Sequence, residues 1–585
     1  MKHQGKFLPL ILVLSMIVSF ILPASTFAAP PLGTDGKILI NPPSGHSLVS
    51  DDFKAYELFD LTGISGAEPN VEYAYEPTSA VIAFLAVPGM SAKYGEGLAG
   101  SEAAEAFRQW LQHSSRTEAE IVVLAKELTT NVSTLTAVGQ SNVSKTVNGQ
   151  IQIENLNYGY YLVTGGSTPS SADGTAYGDT VISRGMLLNV FDNSGNKTTE
   201  ITLKADAPTV GKEVWYPDAT NAGGSIGSDE PVDENDPGWQ DWSTINIGQT
   251  LFFKLNLTVP NMTGYETYKF VATDTLSKGL TYNPDSLQVQ LVKEGSSSVT
   301  LTNPGDYTLA VSAATEEITP SEYVDGTKLI ITLTDLKTLV NDLGWSVVIT
   351  YNATLNGDAV VGNPGNPNKV KLEYSNNPNW DGQGEEPTGD TPEEESRVYT
   401  FDLEVFKYTG QINNEPTPLQ GAEFNLRLKS TLALIQVVPY TEDGYNYRVA
   451  TAEDIEADEA KQADEKVVTT NLVSGADGKI KIKGLKVGTY ELKETKAPAG
   501  FNLLPDWITD IIIEKDNSAQ GYKLTVGVNP ENAVNVLNNT GGQLPGTGGI
   551  GIYFFLALGG IMAALLTGAF IVYRRKSALN DLNVG

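Results

Sequence analysis

The 585-residue chain contains no cysteine. No disulfide can brace it, so any covalent stiffening must use other side chains. Histidine is almost as scarce, with His3, His46 and His113 making up the full set of three. The last two are far apart, and neither sits in a metal-type spacing. A Ser-His-Asp or Cys-His enzyme and a zinc site are therefore unsupported. No cofactor is expected, and no metal ligand is assigned. Positive charge is also short: 39 Lys and Arg stand against 70 Asp and Glu, a net charge of −31 spread along the chain. Such a surface repels nucleic acid and anionic membranes, and it keeps an exported protein soluble.

Long apolar runs occur only at the two ends. Lys2 and Lys6 precede an apolar stretch from Phe7 to Leu22, followed by small residues at Ser25-Thr26-Phe27-Ala28-Ala29. This is the layout of a secretory signal, residues 1–28, with cleavage expected after Ala28. At the other end, Leu544-Pro545-Gly546-Thr547-Gly548 precedes an apolar run from Ile550 to Tyr573 and then Arg574, Arg575 and Lys576. About 24 residues of helix measure roughly 36 Å, enough to cross a hydrocarbon core of about 30 Å. The basic cluster holds the tail on the cytoplasmic side. Residues 544–585 thus resemble the cell-wall sorting signal of Gram-positive bacteria. The resemblance implies a sortase as partner, cleavage between Thr547 and Gly548, and transfer of the Thr547 carbonyl to an amine.

About 520 mature residues exceed a single core, so three or four domains are expected. Between the two signals, runs of five to eight alternating residues rich in Val, Thr, Ile and Tyr are broken by Gly, Asn, Asp and Pro. That pattern predicts an all-β chain of tandem immunoglobulin-like sandwiches. Helical spacing in Ser101–Gln112 (Ala103, Ala104, Phe107, Trp110) and in Thr117–Leu128 adds short helices to the first domain. Composition places the domains at 29–203, 204–390 and 397–540, with 376–397 read as a linker. Asp229–Asp241, with Pro231 and Pro237, reads as an inserted loop. It could hold Ca²⁺ through carboxylates, although it lacks EF-hand order. Glu453–Glu465 reads as a short exposed helix or loop.

Strand parity exposes chemistry in the third domain. Phe401, Leu403, Val405 and Lys407 share one face of a strand, because side chains alternate. Tyr490, Leu492 and Glu494 share another face, and Val534, Val536 and Asn538 a third. Three polar groups are thus delivered to one apolar interior. Burial drives a lysine and a glutamate toward their neutral forms. A neutral amine is a nucleophile, and a neutral acid can polarise the Asn538 carboxamide and shuttle protons. The expected product is a Lys407–Asn538 isopeptide bond, formed once with loss of ammonia. The segment Tyr490-Glu491-Leu492-Lys493-Glu494-Thr495-Lys496-Ala497-Pro498-Ala499-Gly500-Phe501 resembles the E-box of the Cna-B, or prealbumin-like, module of Gram-positive surface proteins. That resemblance puts Glu494 at the catalytic acid position.

The second domain repeats the pattern. Val210, Lys212 and Val214 share a face, as do Tyr268, Phe270, Ala272 and Asp274. Val370, Leu372, Tyr374 and Asn376 share another, so parity selects Asn376 over Asn377. The segments Val271–Tyr282 and Lys371–Pro378 are similar to the isopeptide-forming D2 domain of fimbrial shaft proteins. The resemblance implies that Lys212 bonds Asn376, with Asp274 as the acid. Taken singly, each lysine could snorkel and each asparagine cap a turn. Two such triads in one cysteine-free chain argue for cross-links.

The first domain carries Asn155-Leu156-Asn157-Tyr158-Gly159-Tyr160-Tyr161-Leu162-Val163, which loosely resembles the N-terminal domain of shaft pilins. Major pilins need a surface lysine to attack the next subunit's threonine carbonyl. The family's acceptor motif ends in Tyr-Pro-Lys, and Val214-Trp215-Tyr216-Pro217-Asp218 has aspartate at that place. Ile201 and Leu203 face inward, which leaves Lys204 toward solvent as the expected acceptor, with Lys197 as the alternative. The expectation is a non-enzymatic shaft pilin, secreted and anchored to peptidoglycan. Its expected partners are a sortase, copies of itself in a covalent homopolymer, and a possible host receptor. The alternatives are a monomeric wall-anchored adhesin and a carboxylate-pair glycosidase.

Overall fold

The computed structural model describes residues 33–581 except 43–45, 49–52, 68–69, 141–149, 170–178, 192–195, 204–205, 216–237, 316–320, 341, 381, 413, 463 and 541–549. The signal segment, Lys204, Tyr216-Pro217-Asp218, acidic residues 229–237 and the sortase pentapeptide 544–548 lie outside the described residues. The chain divides into two units, Met1–Thr400 and Phe401–Gly585.

The first unit opens with a sheet ordered Met186–Asn189, Gly159–Thr164, Lys54–Ala67, Asn70–Pro77. Helices Ser79–Leu85, Met90–Tyr94, Gly100–Gln112 and Glu118–Thr130 share its core. Aromatic side chains lock the helices to the sheet: Phe107 lies 5.7 Å from Phe59, and Tyr94 meets Trp110 edge-on at 4.9 Å. The Glu118–Thr130 helix starts at a reciprocal capping box between Thr117 and Glu120. The two longer helices lie where apolar periodicity predicts helix. The two shorter ones hold seven and five residues, too few turns for a period to register. A second core forms around Ile38, Ile40, Ile151 and Ile153 of a three-stranded sheet.

A sandwich follows in the same unit. One sheet runs Trp239–Gln240, Val210–Trp215, Thr250–Thr258, Trp345–Leu355, Gln288–Lys293, Val299–Thr300. The facing sheet runs Trp242–Thr244, Glu394–Tyr399, Asn366–Ser375, Phe270–Leu276, Thr327–Leu333, Tyr307–Ala313. The alternation is strict where one face meets the core: Leu251, Phe253, Leu255 and Leu257 are all buried. The expected linker at 376–397 is corrected here. Thr388–Asp390 and Glu394–Tyr399 are strands of the second sheet, with Ser396 and Val398 buried. The sandwich of the second domain therefore continues past 390, and the break falls between Thr400 and Phe401.

The second unit holds another sandwich. Asn414–Pro418, Phe401–Gln411, Lys479–Leu485, Tyr447–Val449 and Val437–Pro439 form one sheet, and Val534–Leu537 runs parallel to Phe401–Gln411. Leu472–Val473, Glu423–Leu428, Gly488–Lys496, Ile508–Lys515, Tyr522–Val526 and Asn529–Glu531 form the other. Ala452–Glu459 is a helix capped by Thr451 and Asp454. The last described element is the Ile550–Asp581 helix, whose Phe555–Lys576 portion is long and apolar enough to cross a membrane.

Candidate cross-linking sites

In the second unit, the first and last strands lie side by side, with Lys407 paired to Val536 in parallel register. This register brings Lys407 and Asn538 into the same interior, where Glu494 arrives from the opposite sheet. All three are sealed from solvent, at 0 %, 1 % and 1 % exposure for Lys407, Glu494 and Asn538. The Asn538 amide donates to Glu494 Oε1 at 3.0 Å, and Glu494 Oε2 accepts the Leu504 backbone N–H at 2.8 Å. Lys407 Nζ is ion-paired to Glu494 Oε1 at 3.1 Å without a well-aligned hydrogen bond, and Asn538 Oδ1 has no hydrogen-bond partner among the described residues. An amide bond between the two residues would turn the buried amine into a neutral N–H beside Glu494 and expel the carboxamide nitrogen, while the Asn538 carbonyl oxygen stays in the product. Burial pushes the Lys407 amine below its ordinary 10.5, and the neighbouring Glu494 charge only partly opposes the shift. Phe424 lies 5.8 Å away as part of the apolar wall. The approach is tight: Lys407 N–H donates to the Gly478 carbonyl at 2.8 Å. A Cβ at Gly478, where φ is +73°, would stand 2.4 Å from the Lys407 carbonyl oxygen.

The sandwich of the first unit holds the second cluster. Lys212 and Tyr351 come from one sheet, and Asp274 and Asn368 from the facing one. Lys212 Nζ donates to both Asp274 oxygens at 2.8 Å. Tyr351 donates its hydroxyl to Asp274 Oδ2 at 2.8 Å and accepts from the Asn368 amide at 2.6 Å. Asn368 Oδ1 has no hydrogen-bond partner among the described residues. Phe253 closes the site, its ring 5.3 Å from the ammonium nitrogen. Burial lowers the Lys212 pKa and raises that of Asp274, each opposed by the other's charge. Both shifts favour an uncharged amine beside a protonated acid.

The expected partner Asn376 is not in this cluster. Asp274 pairs with Val370 across the sheet, and Asn376 lies six positions further on, about 20 Å along the strand direction. It sits one residue past the end of the Asn366–Ser375 strand. There its amide donates to the Thr388 carbonyl at 3.0 Å and the Thr180 carbonyl at 3.4 Å. The Asn376 carbonyl accepts Ile182 N–H at 2.8 Å, and Asn379 donates to the Ser183 carbonyl at 3.1 Å. Asn376 thus helps to join the first domain to the second. Asn368 has the same parity as Asn376 and sits two positions from Val370, beside Asp274's row. Parity identifies the face of a strand but not the position along it. Reading the sequence also missed Tyr351, although Val347, Ile349, Tyr351 and Ala353 alternate onto a buried face and carry one hydroxyl into it.

Of the two lysines considered as intersubunit acceptors, only Lys197 is described. It pairs with Asp35 at 2.8 Å and lies 5.6 Å from the Tyr158 ring, and Tyr158 also donates to Asp35. The Asp35 carboxylate holds the Lys197 ammonium firmly protonated.

Comparison with known proteins follows the same division of the chain. Residues 409–526 match the prealbumin-like fold domain model. Residues 247–378 match the Gram-positive pilin backbone subunit 2, Cna-B-like domain. Residues 537–578 match the LPXTG cell wall anchor motif. The chain is 27 % identical over 385 residues to the trypsin-resistant surface T6 protein of Streptococcus pyogenes, an alignment covering 57 % of this chain and 66 % of that protein. The chain thus spans about two thirds of that relative's length. Among solved structures, the T6 backbone pilin of Streptococcus pyogenes is 18 % identical with a TM-score of 0.45, covering 87 % of this chain and 100 % of that one. The major pilin subunit of Bacillus cereus is 15 % identical with a TM-score of 0.40, covering 86 % and 99 %.

Proposed function

We propose that this chain, a secreted and wall-anchored surface protein of the Gram-positive backbone-pilin kind, is the repeating subunit of a covalent pilus. Each of its two isopeptide-type sandwiches is stapled by its own lysine–asparagine bond. The reaction needs no turnover. The neutral lysine nitrogen attacks Cγ of the asparagine, the C–N bond to the carboxamide nitrogen breaks, and ammonia leaves with the carboxyl group acting as proton carrier. Glu494 serves Lys407 and Asn538, and Asp274 serves Lys212 and Asn368. The observation that carries this reading is one dry site shared by nucleophile, acid and carboxamide: Lys407 Nζ and the Asn538 amide nitrogen both contact Glu494 Oε1, at 3.1 and 3.0 Å.

The staple in the last sandwich joins its first and last strands. A pull along the chain then runs through the covalent bond and spares the fold between them. Two such bonds in a cysteine-free exported chain take the place of disulfides. The sorting signal supports sortase-catalysed transfer of Thr547 to a lysine of the next subunit, and to peptidoglycan at the base. Lys204 remains the first acceptor to test. Lys197, paired with Asp35, must lose that ion pair before it can attack. Support of adhesion follows from the fibre's place on the surface.

Wall extracts run on a denaturing gel test the polymer. A high-mass ladder in cells carrying the native chain, collapsing to monomer with Lys204→Ala, fits a shaft subunit. A ladder in both moves the acceptor to Lys197. Monomer in both refutes the polymer and leaves a wall-anchored monomeric adhesin.

A further inference from the structure

The two clusters differ in how the asparagine amide meets the acid. In the Phe401–Gln411 sandwich the asparagine amide donates straight to the acid, Asn538 to Glu494 Oε1 at 3.0 Å. In the Val210–Trp215 sandwich the acid is an aspartate, one methylene shorter, and the Asn368 amide does not bond to it. The Tyr351 hydroxyl lies between them, 2.6 Å from Asn368 Nδ2 and 2.8 Å from Asp274 Oδ2. Its orientation is set by packing: the ring stacks on Phe253 at 5.3 Å and meets Tyr282 edge-on at 5.8 Å. The hydroxyl also comes within 3.4 Å of Lys212 Nζ, so one oxygen touches nucleophile, acid and leaving group.

We propose that Tyr351 is a catalytic residue of the second-domain cross-link, relaying a proton from Asp274 to the departing nitrogen of Asn368. The proposal rests on the reading of Lys212 and Asn368 as a bond-forming pair. Lys212 enters as the neutral amine and Asp274 as the carboxylic acid. Lys212 nitrogen forms a bond to Asn368 Cγ, and the Cγ–Nδ2 bond breaks with its electron pair going to nitrogen. The Tyr351 hydroxyl, which donates to Asp274 and accepts from the planar amide before reaction, turns to that nitrogen once it is tetrahedral and carries a lone pair; the nitrogen takes the hydroxyl proton and leaves as ammonia. Asp274 gives its proton to the Tyr351 oxygen and regains one from the attacking nitrogen. Tyrosine and acid end as they began, and the only products are the amide and ammonia. Burial raises the Tyr351 pKa well above its ordinary 10, so the hydroxyl enters the step protonated.

The geometry accounts for why the two sites use different acids. A glutamate reaches its asparagine unaided, whereas the shorter aspartate uses a hydroxyl as extension. Removing a general acid commonly costs about 10²- to 10⁴-fold in rate. Tyr351→Phe keeps the ring stack and removes only the relay.

The test follows cross-link formation in the freshly synthesised ectodomain by intact mass and peptide mapping over time. Each completed bond lowers the mass by about 17 Da. The native chain is expected to show both bonds at the first time point. Tyr351→Phe is expected to show the Lys407–Asn538 bond at once and the Lys212–Asn368 bond at least about 10²-fold more slowly. The double variant Asp274→Glu, Tyr351→Phe is expected to recover much of the rate, because the longer acid reaches Asn368 directly. A purely structural role for the hydroxyl predicts no such rescue. Site-specific difluorotyrosine at 351 covers the case in which Tyr351→Phe does not fold. It keeps ring and hydroxyl but makes the hydroxyl more acidic, so a relay changes the rate and a packing role does not. A native chain without the Lys212–Asn368 peptide overturns the underlying pair. A native chain with that peptide, and Tyr351→Phe forming it equally fast, overturns the relay alone.

Discussion

Asn368→Ala is the substitution that separates the two candidate partners of Lys212 most sharply. A Lys212–Asn368 bond closes a loop of about 155 residues, and the loop-entropy relation for a cross-link of that size gives about 5 kcal/mol of stabilisation. The value comes from constraint on the unfolded chain, so no native contact need change for it to be lost. In a domain of this size 1 kcal/mol moves the midpoint by about 2–4 °C, which places the expected fall at about 10–20 °C. The variant also leaves the Lys212 amine and the Asp274 carboxyl unbonded to Asn368 in a dry core, at 4 % and 0 % exposure, which adds to the loss. Scanning calorimetry of the ectodomain reads the transition of the Lys212–Asn368 sandwich, and the Lys407–Asn538 sandwich serves as internal reference. An Asn368→Ala transition at the native temperature, with the native mass change retained, would refute the assignment.

Other outcomes follow from the same contacts. Asn376→Ala is expected to keep both bonds by intact mass. It should cost about 1 kcal/mol through its lost hydrogen bonds to the Thr388 and Thr180 carbonyls, measured as denaturant midpoint; disappearance of one ammonia deficit would restore Asn376 as the partner. In Asn538→Ala, Lys407 remains a free amine whose native pKa lies below its ordinary 10.5. Between those two values the native state binds fewer protons than the unfolded one. Stability therefore rises with pH through that window and is lost as pH falls through the native value. Urea midpoints against the Lys407→Met, Asn538→Ala double variant check the sign, and a slope that is flat or falling relative to that control contradicts it. Thr117→Ala removes the capping box with Glu120 and is expected to lower first-domain stability by about 1 kcal/mol, read from the same melts.

Much of this was legible because a strand repeats every two residues. Alternation alone carries Lys407, Glu494 and Asn538 to buried positions, since one face of each strand has to be apolar. The same rule put Lys212 and Asp274 inside. It could not separate Asn368 from Asn376, which share a face. The pairing of Asp274 with Val370 settles that, and it is a tertiary fact. Tyr351 escaped notice because a buried tyrosine on an apolar face looks like packing until its hydroxyl is seen between an acid and an amide. The stretch 376–397 read as a linker from its Asn, Gly, Pro and Glu content. Its strands nonetheless extend a sheet, because Ser396 and Val398 supply the alternating inward positions. The longer helices announced themselves by period, and the Ser79–Leu85 and Met90–Tyr94 helices were too short to do so.

The most direct test of a doubly stapled subunit is the intact mass of the native ectodomain, residues 29–540, measured denatured and followed by peptide mapping. Two isopeptide bonds predict a mass about 34 Da below that of the sequence, with Lys212 joined to Asn368 and Lys407 joined to Asn538. A mass equal to that of the sequence would contradict the account.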